Sequence, residues 1–392
     1  MGEEKIVTGR FLAAAAACFF MTVVFFAHFT AIPSYSIDVL GTDATMAGFV
    51  AGIFIVGDIA GRILLGNSIW RWGPIKLCFL SMALGSGMSV LYLLTTDVFA
   101  LCVIGLLHGF TYGVAELTVF ARISADLPES LRGKGIGYFT LSYSLASAVG
   151  PFLSIHLINQ GLYDEIFIIG LVASVASAVS ALCMGRDGRL PGIQKSQRSD
   201  SRPIVIGVLP ISVVILVFLI SYSGVLTFIA PYGLEIGMES YTVVFYVVLS
   251  VATVVSRVLI MGRYDRLGPD RIITPLLVLY ALGMVLLGLA PAGYALLVSA
   301  FVIGLALAAL QASSQVMAVE GLSPREQGLA LATVQVFIDM SYIIGPVLNG
   351  AVSSPLGYSG CYMVMGAVGA FSLVIYLLTC SQRVRRGAKA VS

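Results

Sequence analysis

Charged residues are scarce in this sequence. Asp, Glu, Lys and Arg together make up 11% of the 392 residues, whereas a soluble globular chain is about 25% charged. Hydrophobic residues make up 58%, and the mean hydropathy is +0.99. So little polar surface argues against a soluble enzyme, a nucleic-acid-binding protein and a disordered regulator. The net charge of +2 is also too small to indicate an anionic partner.

Catalytic and metal-binding motifs are also missing. The sequence has no phosphate-binding G-x-x-x-x-G-K-[ST] loop, no metal-ligand spacing and no nucleophile constellation. Its six cysteines are scattered through apolar segments without a C-x-x-C pair, which is typical of free thiols used in packing. We therefore expect no enzymatic activity, no metal and no cofactor. If the protein transports a solute, an ion gradient rather than ATP is the expected energy source.

Long apolar segments are abundant, and their number sets the fold class. About 20 apolar residues are needed to cross the hydrocarbon core of a bilayer as a helix. The sequence predicts an all-α membrane protein with twelve transmembrane helices. The predicted spans are 11–34, 45–66, 76–95, 98–121, 134–158, 164–184, 204–229, 241–262, 272–291, 293–319, 327–350 and 357–380.

The positions of Lys and Arg predict how these spans are oriented. They fall at the N-terminus, in or next to the loops after spans 2, 4, 8 and 10, in the central segment and at the C-terminus. The opposite loops carry only acidic residues. Because cytoplasmic loops are enriched in Lys and Arg, we expect both termini to be cytoplasmic. The predicted location is the cytoplasmic (inner) membrane.

The two halves of the chain match at a constant offset of 195 residues. Six spans separate the members of each pair, so the two copies share one orientation. We predict two pseudo-symmetric six-helix bundles, 1–184 and 204–392, joined by a polar cytoplasmic linker at 185–203. Parallel repeats of this kind imply a substrate site near the bilayer midplane between the bundles, and alternating access. Matching pairs include Arg62 with Arg257, Gly73 with Gly268, and Gly150-Pro151 with Gly345-Pro346.

The loops after spans 2 and 8 resemble the conserved cytoplasmic loop of the major facilitator superfamily, G-x-x-x-D-R-x-G-R/K-R/K. The first copy runs from Gly66 to Ile75 with Trp70 in the acidic position, and the second copy begins with Asp265. The resemblance covers essentially the whole chain and implies that this loop gates the rocking of the two bundles. The gating residues it implies are Arg71, Gly73, Asp265, Arg266 and Gly268.

Residues 105–153 are similar to the bacterial efflux branch of that superfamily, which includes drug:proton antiporters, arabinose-efflux-like permeases and metallophore exporters. The antiporter motif of span 5 is partly present and ends in Gly150-Pro151, which we add to the gating residues. Such Gly-Pro pairs also occur as ordinary helix packing in membranes. Gly105 stands where efflux relatives often carry an arginine, so a mechanism that uses that arginine is not available to this chain.

Asp339 is the strongest candidate for carrying a coupled proton. It lies near the middle of span 11, with Gln335 and Tyr342 on the same helix face. A charge at the bilayer centre costs about 2.5–3.5 kcal/mol on insertion scales, so its presence needs a reason. A carboxyl group in such a place can take up and release a proton. The alternative is a permanently protonated carboxyl that bonds a neighbouring helix.

Further polar residues are candidates for the lining of the transport pathway. On span 4, His108, Tyr112 and Glu116 recur at every fourth position, and His108 or Glu116 could carry the proton instead of Asp339. Asp58 and Arg62 are spaced as an ion pair with a packing or gating role. The remaining substrate-binding candidates are His28, Tyr222, Thr227, Gln311, Gln315, Gln335 and Tyr342.

These features together predict a secondary active transporter that exports a small organic molecule by proton antiport. One alternative is uptake of a metabolite by proton symport or uniport, and a more remote one is a membrane sensor that transports nothing. The expected partners are the substrate, the proton and the lipid bilayer, with no nucleic acid. We expect the protein to be a monomer.

Overall fold

The computed structural model describes residues 7–66, 72–127, 132–185, 205–260, 263–290, 292–322 and 324–381. Within these ranges the chain is almost entirely helical and contains no strand. Eleven of the described helices are long and apolar enough to cross a membrane. The predicted all-α fold class is therefore confirmed.

The first six long helices match the first six predicted spans to within a few residues at most ends. They are α1 (Gly9–Asp38), α2 (Ala44–Leu65), α3 (Pro74–Leu93), α4 (Val98–Asp126), α5 (Arg132–Ile158) and α6 (Tyr163–Cys183).

The remaining helices follow a short 3-10 turn at Ile206–Val208. They are α7 (Leu209–Glu235), α8 (Glu239–Leu259), a single turn at Tyr264–Leu267, α9 (Pro269–Leu289), α10 (Gly293–Val319) and a long stretch at Pro324–Thr379. The backbone of Gly357 is not helical, with φ 67° and ψ 172°, and it divides this stretch in two. We name the parts α11 (324–356) and α12 (358–379), which brings the described transmembrane helices to the predicted twelve.

The chain divides into two compact units. The first comprises Met1–Thr42 and Val50–Ser199, and the second comprises Asp43–Phe49 and Asp200–Ser392. In the first unit α1 packs against α4, α5 and α6, while α3 packs against α4 and α6. In the second unit α7 packs against α8, α10 and the α11–α12 stretch, while α9 packs against α10 and that same stretch. Most of the proposed linker, 185–203, lies outside the described residues.

Glycines allow an unusually close approach of α2 and α4 in the first unit. A Cβ atom added to Gly109 would lie 2.7 Å from the carbonyl carbon of Phe54, which is closer than real Cβ contacts. In the second unit a Cβ added to Gly304 would lie 3.1 Å from the carbonyl carbon of Leu249 and closer still to its oxygen. Both glycines and both carbonyls are 195 residues apart, so the repeat preserves a backbone contact. Small residues at such crossings are a usual means of helix association in lipid.

Glu235 holds the sharp corner between α11 and α12. Its carboxylate accepts hydrogen bonds from the backbone N–H groups of Tyr358 and Ser359, at 3.1 and 3.4 Å. These are the first N–H groups of α12, which have no partner within the helix, and a negative charge there is favourable. Gly357 supplies the positive φ that the turn requires.

Candidate functional site

Arg62 joins two carboxylates from neighbouring helices in the first unit. Its guanidinium pairs with Asp58 one turn earlier on α2, where its Nε donates to Oδ1 at 2.9 Å. Its Nη2 atom also lies 2.8 Å from Oε2 of Glu116 on α4. The Asp58 side chain is 3% exposed, whereas those of Arg62 and Glu116 are 22% and 18% exposed. The predicted Asp58–Arg62 pair is thus part of a larger bridge between α2 and α4.

The glycines of α4 allow this bridge to form. Gly113 lies against the backbone and side chain of Asp58, and a Cβ atom at that position would collide with both. The close approach brings the carboxylate of Asp58 into the interface between α2 and α4. Its charge is therefore removed from water, and the guanidinium of Arg62 compensates for it.

The predicted polar stripe on α4 divides among different neighbours. Tyr112 is 4% exposed and stacks on Phe25 of α1 with ring centroids 5.1 Å apart. His108 is 1% exposed, and its ring lies 5.2 Å from that of His28 on α1. Glu116 is the part-exposed member of the three and contacts Arg62. The stripe therefore supplies two buried aromatic contacts and one ionic contact.

Tyr92 of α3 and Phe167 of α6 belong to the same aromatic cluster and were not predicted. The Tyr92 ring lies 5.3 Å from the ring of His28 and 5.7 Å from the ring of His108, and it stacks on Phe167 at 5.2 Å. Both residues come from helices distant in sequence from His28. Their contact depends on how the helices pack, and no local motif signals it.

Asp339 lies on α11 and is 7% exposed. The Nε2 atom of Gln335, one turn earlier, donates a hydrogen bond to its Oδ1 atom at 2.8 Å. Tyr342 follows on the same face and is partly buried. The carboxyl group is thus held by an uncharged donor in the interior of an apolar helix.

The other predicted lining residues of the second unit have less distinctive surroundings. Tyr222 and Thr227 on α7 are buried, and the hydroxyl of Thr227 donates to the backbone oxygen of Ser223 at 2.9 Å. This bond within the helix satisfies the donor of Thr227. Gln311 and Gln315 on α10 are both partly buried.

The predicted gating loops begin helices in both units. Gly73 precedes α3 with φ 86°, and Gly268 precedes α9 with φ 78°. Each is followed by proline in the first turn of its helix. Only glycine adopts such a φ readily, so the same turn is built into both copies of the repeat. Arg266 is exposed, whereas Arg71 and the side chain of Asp265 lie outside the described part of the structure.

The Gly-Pro pair of α5 marks a close contact with α1. A Cβ added to Gly150 would lie 2.9 Å from Cβ of Phe26. At the equivalent position in the second unit, a Cβ added to Gly345 on α11 would lie 3.0 Å from Cβ of Ser223 on α7. The two pairs therefore serve helix packing in both units. Their predicted part in gating stays a prediction.

Comparison with known families matches nearly the whole chain. The model of the Major Facilitator Superfamily matches residues 13–274 and 249–391. The multidrug resistance protein MdtG of Serratia proteamaculans is 24% identical over 389 residues, covering 93% of this chain and 92% of that protein. The protein of the same name from Escherichia fergusonii is 22% identical over 322 residues, covering 77% of this chain and 78% of that protein.

Solved structures of transporters share the fold at low sequence identity. A crystal structure of the nucleoside transporter NupG superposes with a TM-score of 0.78 at 12% identity, covering 95% of this chain and 100% of that one. A POT family transporter in complex with a thioalcohol-conjugated peptide gives 0.76 at 13% identity, covering 94% and 95%. The inward-open xylose transporter XylE from Escherichia coli gives 0.73 at 16% identity, covering 95% and 96%.

Proposed function

The chain belongs to the major facilitator superfamily of membrane transporters, and we propose that it exports a small organic molecule across the cytoplasmic membrane by proton antiport. In this proposal both termini are cytoplasmic and the protein acts as a monomer. The bundles 1–184 and 204–392 move about the linker 185–203 to give alternating access. ATP takes no direct part.

Two observations support export rather than uptake. Relatives that cover most of the chain are named multidrug resistance proteins. The segment 105–153 also carries the Gly150-Pro151 pair of the antiporter motif, and the structure places this pair at a tight contact between α5 and α1. Close packing there limits leakage along the helix. Uptake by symport or uniport is the alternative, because Gly105 replaces the arginine found in many efflux relatives.

The environment of Asp339 is the single observation that best supports proton coupling. Its carboxyl group is buried on α11 and receives a hydrogen bond from the neutral side chain of Gln335. Glu116 already forms an ion pair with the guanidinium of Arg62. His108 is enclosed among aromatic rings. We therefore assign the coupled proton to Asp339 and retain Glu116 and His108 as alternatives.

The experiment is a transport assay on purified Asp339→Asn protein in liposomes with an imposed proton gradient. Its substrate is first identified by thermal-shift screening of organic cations, zwitterions and amphipathic compounds. Asparagine keeps the size and the hydrogen bonding of aspartate but cannot titrate. Uphill transport should be lost, while substrate binding and downhill exchange persist.

The matched control is Glu165→Gln, which removes an exposed carboxylate in the first turn of α6 and should transport normally. An Asp339→Asn protein that concentrates substrate at the wild-type rate would remove this residue from the coupling mechanism. Failure of the variant to fold would instead favour a carboxyl that only ties α11 to a neighbour. Accumulation in right-side-out rather than inside-out vesicles would favour uptake.

A further inference from the structure

Three residues of the first unit whose rings pack together each carry a buried polar atom without a hydrogen-bond partner among the described residues. These atoms are Nε2 of His28, Oη of Tyr92 and Nδ1 of His108. The three residues are 0%, 0% and 1% exposed. Their ring centroids are 5.2 to 5.7 Å apart. An unsatisfied polar atom in a membrane interior is strongly unfavourable, and three of them in one cluster point to a shared partner.

The hydrogen bond of His28 to its own helix defines what that partner must do. Nδ1 of His28 lies 2.8 Å from the carbonyl oxygen of Val24. A carbonyl only accepts, so Nδ1 carries the proton, and Nε2 of the neutral ring is an acceptor. The hydroxyl of Tyr92 can both donate and accept. The partner must therefore donate to His28 and be able to donate or accept elsewhere.

Two glycines border the cluster. The His28 ring lies directly against Gly170 on α6, where an added Cβ atom would lie 2.9 Å from Nε2 and closer still to Cε1. A Cβ added to Gly105 on α4 would lie 3.9 Å from the Tyr92 hydroxyl. Glycine at position 170 thus lets the polar ring of His28 pack against α6, and no side chain from position 105 stands beside the Tyr92 hydroxyl.

Aromatic rings enclose the cluster. Phe54 of α2 lies 5.6 Å from the ring of His108, and Phe167 of α6 lies 5.8 Å from the ring of His28. Within the described residues, no group of three or more His, Cys, Asp or Glu side chains could hold a metal ion. The surroundings therefore favour a small neutral partner over a cation.

We propose that His28, Tyr92 and His108 form a binding site for one buried water molecule inside the first unit. Water donates and accepts, and buried waters typically make about three hydrogen bonds to polar groups that would otherwise lack a partner. Here the water joins α1, α3 and α4. The site is a water-mediated contact between three helices, and its existence does not depend on which residue carries the coupled proton.

The chain has only three histidines, so nitrogen-15 NMR of histidine-labelled protein can test this site directly. The third, His156, is exposed, and His156→Gln leaves signals only from His28 and His108. In lipid nanodiscs, His28 should carry its proton at Nδ1 and have an unprotonated Nε2. Cross-peaks from a slowly exchanging water should reach Nε2 of His28 and Nδ1 of His108.

Tyr92→Phe in the same background removes one of the three partners of the water. The water cross-peaks should weaken or be lost while the fold is retained, because the ring is kept. Tyr294→Phe is the control, since Tyr294 is 69% exposed and lies outside the cluster. It should leave both histidine signals unchanged.

Three results would overturn the proposal. The first is the absence of any water contact at both rings. The second is a direct hydrogen bond between the two rings or from Tyr92 to a ring. The third is a shift of both histidine signals on addition of Zn²⁺ at stoichiometric concentration, which would identify a metal site instead. Persistence of the water cross-peaks in Tyr92→Phe at full intensity would remove Tyr92 from the site.

Discussion

Replacing Arg62 with glutamine would remove the guanidinium that joins Asp58 to Glu116. Glutamine retains a hydrogen-bonding side chain of similar reach but carries no charge. The two carboxylates would then lose the cation that joins them. We expect a large loss of stability that arises mainly from Asp58.

The size of the loss follows from the burial of each carboxylate. Asp58 is 3% exposed, and removing one partner of a buried ion pair costs about 3–5 kcal/mol. Glu116 is 18% exposed and remains partly hydrated, so its share is about 1 kcal/mol or less. Asp58→Asn should be milder, because Arg62 still has Glu116 as a partner. The double variant that combines Arg62→Gln with Asp58→Asn should be more stable than Arg62→Gln alone, because the buried charge of Asp58 has been removed.

The assay is reversible unfolding of purified protein in detergent micelles, with the four proteins of the double-mutant cycle compared under identical conditions. Arg263→Gln is the control, since Arg263 is exposed and its side chain donates to the backbone carbonyl of Leu259 one turn earlier. If Arg62→Gln is no less stable than Arg263→Gln, the argument that Asp58 depends on Arg62 is refuted. If the loss of unfolding free energy in the double variant equals the sum of the losses in the two single variants, Asp58 and Arg62 are not coupled.

Three further predictions concern helix packing, the corner between α11 and α12, and the gating loop. Gly109→Ala should lower the free energy of unfolding by about 1–3 kcal/mol, because the added Cβ would meet the Phe54 carbonyl. Gly87→Ala should be neutral in the same unfolding assay, since no atom lies within 4 Å of its added Cβ. Glu235→Gln should cost about 0.3–1 kcal/mol and speed hydrogen exchange in the first turn of α12, and unchanged exchange would contradict the capping role. Asp265→Asn should slow transport without loss of folded protein, and a normal transport rate would show that this residue takes no part in gating.

The fold could be predicted because the bilayer imposes a length on every apolar segment. Spans of about 20 residues fixed the number of helices, and the offset of 195 residues fixed the correspondence between the halves. Contacts within one helix were also accessible, since residues four apart share a face. The Gln335–Asp339 hydrogen bond and the Asp58–Arg62 pair are both of this kind.

Contacts between helices could not be predicted in the same way. The bridge from Arg62 to Glu116 and the contact of Tyr92 with His28 join residues more than 50 positions apart. A helical periodicity states which residues share a face but not which helix that face meets. Glycine spacing on α2 and α4 was the available signal, because small residues four apart indicate a close crossing. That signal predicts where two helices touch, although not which polar groups the contact brings together.

The close approach at Gly109 and again at Gly304 bears on the history of the chain. A gene for six helices that was duplicated and fused would pass on its backbone crossings, while the side chains around them diverged. Phe54 and Leu249 differ, yet each presents its carbonyl to the equivalent glycine. Asp58 is the partner of Arg62, whereas Thr253 at the equivalent place donates to the Leu249 carbonyl. The element common to both halves is thus the distance between the helices, while the chemistry of the side chains beside that crossing differs between them.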